Sequence, residues 1–130
     1  MNISIATRSM ILAGALVALT LGGCKEGIDD FIGQGRKAAR MQNYEEALKF
    51  FNKALDVEPS NYNALWGVAD VYQREGNLVK QAQMLEKIMA NETMAKDYAG
   101  VVVPALEENY RRQATVTVGA SADMAIELLR

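Results

Sequence analysis

Residues 43–55 have the sequence NYEEALKFFNKAL, and EPSN follows at positions 58–61. Apolar side chains recur three and four positions apart in this stretch, which places them on one face of an α-helix. These side chains are Ala47, Leu48, Phe51, Ala54 and Leu55. Pro59 cannot continue a helix and restricts the residue before it. The stretch therefore predicts a half-buried helix that ends before Pro59, and Ser60 or Asn61 can cap the helix that follows.

The same helical spacing continues on both sides of this stretch. The apolar residues concerned are Phe31, Ala38 and Ala39 before it, and Ala64, Leu65, Val68, Ala69, Tyr72, Ala82, Leu85, Ile88 and Met89 after it. The pattern is interrupted at Gln42-Asn43 and again at Gly76-Asn77. Gly and Asn commonly mark turns between periodic segments. We therefore expect two helical hairpins in succession.

The two hairpins match each other at an offset of 34 residues. Phe31 corresponds to Leu65, and Phe51 corresponds to Leu85. The period, the 43–55 stretch and Pro59 resemble the tetratricopeptide repeat (TPR). The resemblance covers residues 28–95 and implies an all-α, TPR-like solenoid of antiparallel helical hairpins. Small residues would let paired helices approach closely in such a fold, here Gly35, Ala47, Ala54 and Ala69.

The sequence departs from the TPR pattern at Gln34, Gln81 and Thr93. A generic helical bundle is the alternative interpretation, but the offset, the turns and the proline all favour the repeat.

Residues 96–130 are predicted to form a degenerate third helical hairpin or cap. Pro104 lies inside a helical pattern, so we expect the helix to kink or restart there. The β-branched segment 115–118, ending at Gly119, predicts a loop or a short extended piece. A last helix is expected from Ser121. This region either caps the solenoid or is completed by helices of a partner, and both alternatives stay open.

The TPR resemblance also implies a peptide-binding groove lined by the first helix of each repeat. The positions carried over from the family are Ile32, Arg36, Ala39 and Arg40 in the first repeat, and Asn63, Trp66, Asp70, Gln73 and Arg74 in the second. The guanidinium group of arginine can bind a carboxylate through two hydrogen bonds, and a lone Trp is a typical binding hot spot. The alternative is that the arginines are only solvated and that Trp66 is packed. Ile32 and Arg36 replace the family's Lys/Asn carboxylate clamp, so we do not expect a protein that binds the C-terminal tails of chaperones.

Composition excludes most catalytic chemistry. The 130 residues contain no His and one Cys, Cys24, so no Ser-His-Asp or Cys-His arrangement, no His/Cys zinc site and no intrachain disulfide can form. The net charge of −2 gives no electrostatic footprint for nucleic acid. Neighbouring carboxylates such as Glu45-Glu46 are expected to favour helix starts. We predict a protein that is not an enzyme and takes no cofactor.

The N-terminal residues 1–23 are predicted to be a cleaved signal peptide. Arg8 precedes an apolar run of about 12 residues, which is typical of secretory signals and too short for a transmembrane anchor. The run ends in Leu21-Gly22-Gly23-Cys24, which resembles the bacterial lipobox. The resemblance implies that Cys24 carries a covalent lipid and that residues 24–27 form a short tether. The alternative is that Cys24 is a buried free thiol.

Together these resemblances predict a lipoprotein of the bacterial cell envelope with a TPR body. Lys25, rather than Asp, follows Cys24, which by analogy with enteric lipoproteins implies the outer membrane, facing the periplasm. The predicted function is a protein–protein interaction or assembly module, pilotin-like or similar, that contacts the membrane through its lipid. The alternative is a structural subunit of an envelope complex, completed by partner helices at the C-terminal end.

Overall fold

The computed structural model describes the backbone of residues 20–128 and the side chains of residues 27–121 and Met124. Five α-helices follow one another through this range. They are α1 (Thr20–Arg40), α2 (Tyr44–Val57), α3 (Tyr62–Arg74), α4 (Leu78–Ala90) and α5 (Glu92–Leu128). Sequential helices pack against each other, and α1 also reaches α3. The predicted all-α, TPR-like solenoid is confirmed.

An asparagine caps the start of each helix from α2 to α5. The side-chain oxygens of Asn43, Asn61, Asn77 and Asn91 accept hydrogen bonds from the backbone N–H three residues later, at 3.4, 3.0, 3.2 and 3.1 Å. Each cap supplies a partner to an amide that the helix itself leaves unpaired. Asn61, one of the two predicted caps, is therefore the residue that starts α3.

Helices α1 and α3 end in the same turn. Gln42 and Gly76 both adopt a left-handed conformation, with φ of 61° and 74°. The following amides, of Asn43 and Asn77, donate to Ala38 O at 3.0 Å and to Tyr72 O at 2.8 Å. These bonds span five residues, as in the Schellman motif that closes many helices. The two hairpins therefore match at the 34-residue offset even in the individual hydrogen bonds that close their first helices.

The core has two clusters that follow the repeat. Phe51 is buried in the first, between α1, α2 and α3, and Leu85 in the second, between α3, α4 and α5. Ala54 and Ile88 are also fully buried, one in each cluster. Leu55 and Met84 pack against both clusters and join them. Ala47, which like Ala54 was predicted to lie where paired helices approach each other, is also fully buried.

Gln81, which departs from the TPR pattern, is buried beside α5. Its Oε1 accepts a hydrogen bond of 2.7 Å from Nδ2 of Asn109, which also donates to Leu78 O at 2.8 Å. Gln113 in turn donates to Oδ1 of Asn109. Because a buried amide without partners is costly, this network fixes the position of α5 on α4.

The C-terminal region differs from its prediction, because 96–130 is no hairpin as far as the structure describes it. Residues 92–128 form one helix that runs through Pro104 and through 115–119. Pro104 and Gly100 both lie on the exposed face, where water can reach the Gly100 carbonyl that loses its amide partner. The loop prediction for 115–119 is wrong because β-branched residues lower helix propensity by only about 0.5 kcal/mol each.

The predicted N-terminal features lie largely outside the described residues. Residues 1–19 of the predicted signal peptide are among the residues not described. Cys24 falls within α1, so residues 24–27, predicted to be a separate tether, are part of that helix. Among the residues that the structure describes, no helix combines the length and apolar character needed to cross a membrane.

Candidate functional site

A cleft of 260 Å³ lies between α1 and α3, on the face predicted for the groove. We call it the α1–α3 cleft. Its lining consists of Arg36, Ala39 and Arg40 from α1, Phe51 from α2, and Asn63, Trp66, Gly67, Asp70 and Arg74 from α3. Most of the predicted groove residues are therefore brought together.

The floor of the cleft is the ring of Phe51, which lies against two glycines. A Cβ placed on Gly35 would come within 2.8 Å of this ring, and one on Gly67 within 2.5 Å. Both distances are far shorter than van der Waals contact, so only glycine lets α1 and α3 approach the ring from either side. The depth of the cleft follows from these two missing side chains.

Two of the three arginines of the cleft are held by neighbouring side chains. Arg36 donates from Nη2 to Oδ1 of Asn63 at 2.9 Å, which links α1 to α3. Arg74 donates from Nε to Oδ2 of Asp70 at 2.8 Å, one turn away on α3. The hydrogen bond to Asp70 and its negative charge raise the pKa of Arg74. Arg40 is exposed, and within the described part of the chain its guanidinium has no hydrogen-bond partner.

Trp66 lines the cleft and is also packed. Its ring stacks on Tyr62 with a centroid distance of 5.9 Å, and Tyr62 stacks on Tyr98 of α5 at 3.6 Å. Burial, and secondly the neighbouring Tyr98, raise the pKa of Tyr62. Trp66 is half-buried as a result, with one part of its surface left in the cleft. The stack holds the indole in place, so it loses little freedom when a ligand covers it.

Two predicted groove residues lie elsewhere. Ile32 is only 5% exposed and belongs to the first core cluster, so its assignment to the groove is wrong. Gln73 is exposed but is not part of the cleft lining. The TPR pattern assigns Ile32 to the groove, but its side chain, one turn before Arg36 on α1, lies in the core.

Gly67 was not among the predicted site residues, and Phe51 was predicted only as core filler. A signal for Gly67 was present in the sequence, because glycine inside an amphipathic helix costs about 1 kcal/mol and usually marks a close approach.

A second and larger cleft, of 540 Å³, lies where α5 passes the turn between α3 and α4. Its lining includes Leu78, Val79, Val116 and Thr117. Because it lacks convergent charged groups, it offers no chemistry comparable to that of the α1–α3 cleft. No cluster of three or more His, Cys, Asp or Glu side chains suited to a metal ion occurs within the described part of the chain. The α1–α3 cleft is equipped to bind anionic groups beside an aromatic surface.

Comparison with known proteins agrees with the helical-repeat fold. The chain is 35% identical over 52 residues to tetratricopeptide repeat protein 21B of Xenopus laevis. The match covers 40% of this chain but only 4% of that protein, so the chain spans a small fraction of its relative. No solved structure matches the chain at a significant level. A family model described as the TT21 fifth ARM repeats domain matches residues 37–119, which is more than half of the chain. The chain therefore belongs to the TT21 ARM-repeat family of helical repeat proteins.

Proposed function

We propose that the protein is a protein–protein interaction module whose α1–α3 cleft binds an acidic or C-terminal segment of a partner. The observation that carries this proposal is the convergence of Arg36, Arg40 and Arg74 with Trp66 on one cleft. Guanidinium groups bind carboxylates through two parallel hydrogen bonds, and a fixed indole provides apolar contact area. Membership of a repeat family supports an interaction role rather than catalysis.

The charges within the cleft favour binding of a carboxylate at the end where Arg36 and Arg40 lie. Asp70 already pairs with Arg74, and its carboxylate would repel a second carboxylate placed nearby. Among the side chains that the structure describes, Arg40 has no hydrogen-bond partner, and Arg36 is bonded only to the neutral amide of Asn63. We therefore expect the partner's carboxylate to sit between Arg36 and Arg40, one turn apart on α1, and the neighbouring residue to cover Trp66.

The single Trp of the chain makes this proposal directly testable. We would titrate the full chain with a short acidic peptide that has a free C-terminal carboxylate, and follow the emission of Trp66. Arg40→Gln should weaken binding about tenfold, the loss of about 1.4 kcal/mol expected for one charge-assisted contact. The affinity should also fall with added salt, because the cleft is open to solvent.

Lys37→Gln is the matched control, since Lys37 lies on α1, is exposed, and stands outside the cleft. It removes the same charge and should leave the affinity unchanged. Equal effects of Arg40→Gln and Lys37→Gln, or equal affinity for a peptide with Lys in place of each acid, would contradict binding in the cleft.

We further propose that the module is anchored to the bacterial cell envelope by a lipid on Cys24, at the outer membrane and facing the periplasm. The apolar run that ends in Leu21-Gly22-Gly23-Cys24 supports this, as does Lys25 at the next position. Two or more acyl chains anchor a protein stably, with about 0.8 kcal/mol per buried CH₂ group.

A second candidate function is that of a structural subunit completed by other helices at its C-terminal end. The exposure of the α5 side chains from Ala114 to Ser121 favours it. In that case the cleft variants would leave complex formation unchanged, and truncation after Gln113 would abolish it.

A further inference from the structure

Helix α5 continues past the body of the protein. Within the described side chains, Asn109 and Gln113 are the last residues of α5 that donate hydrogen bonds to α4, and every side chain from Ala114 to Ser121 is exposed. Residues 114–128 therefore form a projecting helix about 22 Å long. We call it the α5 projection.

Residues 114–121 of the α5 projection present a surface that is apolar and uncharged to a degree unusual for a solvated helix. Val116, Val118 and Met124 are 66%, 69% and 68% exposed. No charged residue occurs from position 113 to position 122. Exposed helices of soluble proteins normally carry charged residues on their solvent face.

The hydroxyl groups in this segment do not offset its apolar character. Thr115, Thr117 and Ser121 donate to the backbone carbonyls four residues earlier, at 2.9, 3.0 and 2.9 Å. Their donors are therefore used within the helix, and the methyl groups of the two threonines remain exposed. Valine, threonine and glycine are also weak helix formers, so a solvated helix of this composition gains little stability on its own. The α5 projection has the properties of a helix that packs against another surface.

The charges that flank the uncharged stretch indicate what that surface is. Arg111 and Arg112 precede it, and Asp123 and Glu127 follow it. Arg111 also pairs with Glu108 one turn earlier on the same helix, in a solvent-exposed ion pair of the kind that contributes little stability and can be exchanged for another partner. Gly119 lies at the centre, eight positions after Arg111 and eight before Glu127. When two such helices run antiparallel and cross at Gly119, the cationic end of each is level with the acidic end of the other. In a parallel pair, like charges would be level and would repel.

We propose that two copies of this chain associate through their α5 projections, antiparallel and crossing near Gly119. The absence of a side chain at Gly119 lets the two backbones approach closely, as small residues do in tightly packed helix pairs. The larger cleft beside the α3–α4 turn, lined by Val79 and Val116, gives space for the end of the partner's helix. This contact is independent of the α1–α3 cleft, with which it shares no residue.

Disulfide trapping of the full chain in mild detergent tests the proposal. Cys24→Ser removes the only native thiol. In this background, mild oxidation links only cysteines that the helix pair brings close together. A mixture of chains carrying Arg111→Cys and chains carrying Glu127→Cys should form the mixed dimer. Glu92→Cys, exposed at the other end of α5, should stay monomeric.

Charge reversal provides the second measurement. In sedimentation equilibrium, Arg111→Glu with Arg112→Glu should weaken dimerisation at least tenfold, and adding Asp123→Arg with Glu127→Arg should restore it. Arg40→Gln should change neither result, so failure of the cleft and failure of the dimer are distinguishable. Three results would each overturn the proposal. They are cross-links between two Arg111→Cys chains, the mass of a single chain at all concentrations, and dimerisation that is unaffected by charge reversal.

Discussion

At the scale of single residues, the contact between Phe51 and Gly67 sets the depth of the α1–α3 cleft. A Cβ at position 67 would lie 2.5 Å from two ring carbons, and the ring is only 1% exposed, so it has no space to move away. Gly67→Ala should lower the free energy of unfolding by roughly 1–2 kcal/mol, since overpacking outweighs the gain in helix propensity. Gly33→Ala is the control, because nothing lies within 4 Å of its Cβ position. It should raise the stability by up to about 1 kcal/mol in urea unfolding. If Gly67→Ala stabilised the protein as Gly33→Ala does, the tight contact between Gly67 and Phe51 would be contradicted.

Individual residues also show which parts of the site could be predicted from the sequence and which could not. The TPR resemblance, rather than residue spacing alone, assigned Arg36, Arg40 and Arg74 to one groove, and all three line the α1–α3 cleft. The same resemblance misplaced Ile32, since a family pattern does not say how far this particular helix is rotated toward its core. Gln81 looked like an irregularity because its partner, Asn109, lies 28 positions later. Such long-range pairs are not visible in local patterns.

At the scale of secondary-structure elements, the turns after α1 and α3 are the same motif with different residues. Gly76 adopts its positive φ without steric cost, whereas Gln42 at φ 61° does not. Gln42→Gly should therefore raise the free energy of unfolding by roughly 0.5–1 kcal/mol, and Gly76→Gln should lower it by a similar amount. Both changes are measurable by urea unfolding followed by circular dichroism. A loss of stability in Gln42→Gly would mean that the Gln42 side chain, rather than its backbone, supports the turn.

Helices α2 to α4 were predictable to within a few residues because interrupted periodicity, Pro59 and Asn61 all indicate the same boundaries. Helix α5 was not, since Pro104, Thr115 and Gly119 each argue locally against a helix. The helix nevertheless continues through all three residues. The loss of helix propensity at Thr115 and Gly119 is small, and the hydrogen bond lost at Pro104 lies on an exposed face where water can replace it.

At the scale of the whole molecule, the proposed anchor makes a prediction that separates the lipid from the fold. Cys24→Ser should abolish labelling by a fatty-acid probe and release the protein from sedimented membranes, while the helical content stays unchanged. Gly33→Ser tests the effect of a serine elsewhere on α1, at a position with open space around it, and should keep the label. Labelling that survives in the Cys24→Ser chain would refute the lipid anchor.

Helix α1 runs without a break from Thr20 to Arg40, and Cys24 and Arg36 lie twelve residues apart on it. At 1.5 Å per residue, about 18 Å of rod separates the proposed lipid from the first arginine of the cleft. If Cys24 carries the lipid, this rigid helix would hold the cleft in a thin layer close to the bilayer surface, whereas a flexible tether would allow it to move further away. Partners embedded in the same membrane would then meet the cleft by diffusion in two dimensions, at a high effective concentration. A contact too weak to hold two free proteins together can suffice in that layer.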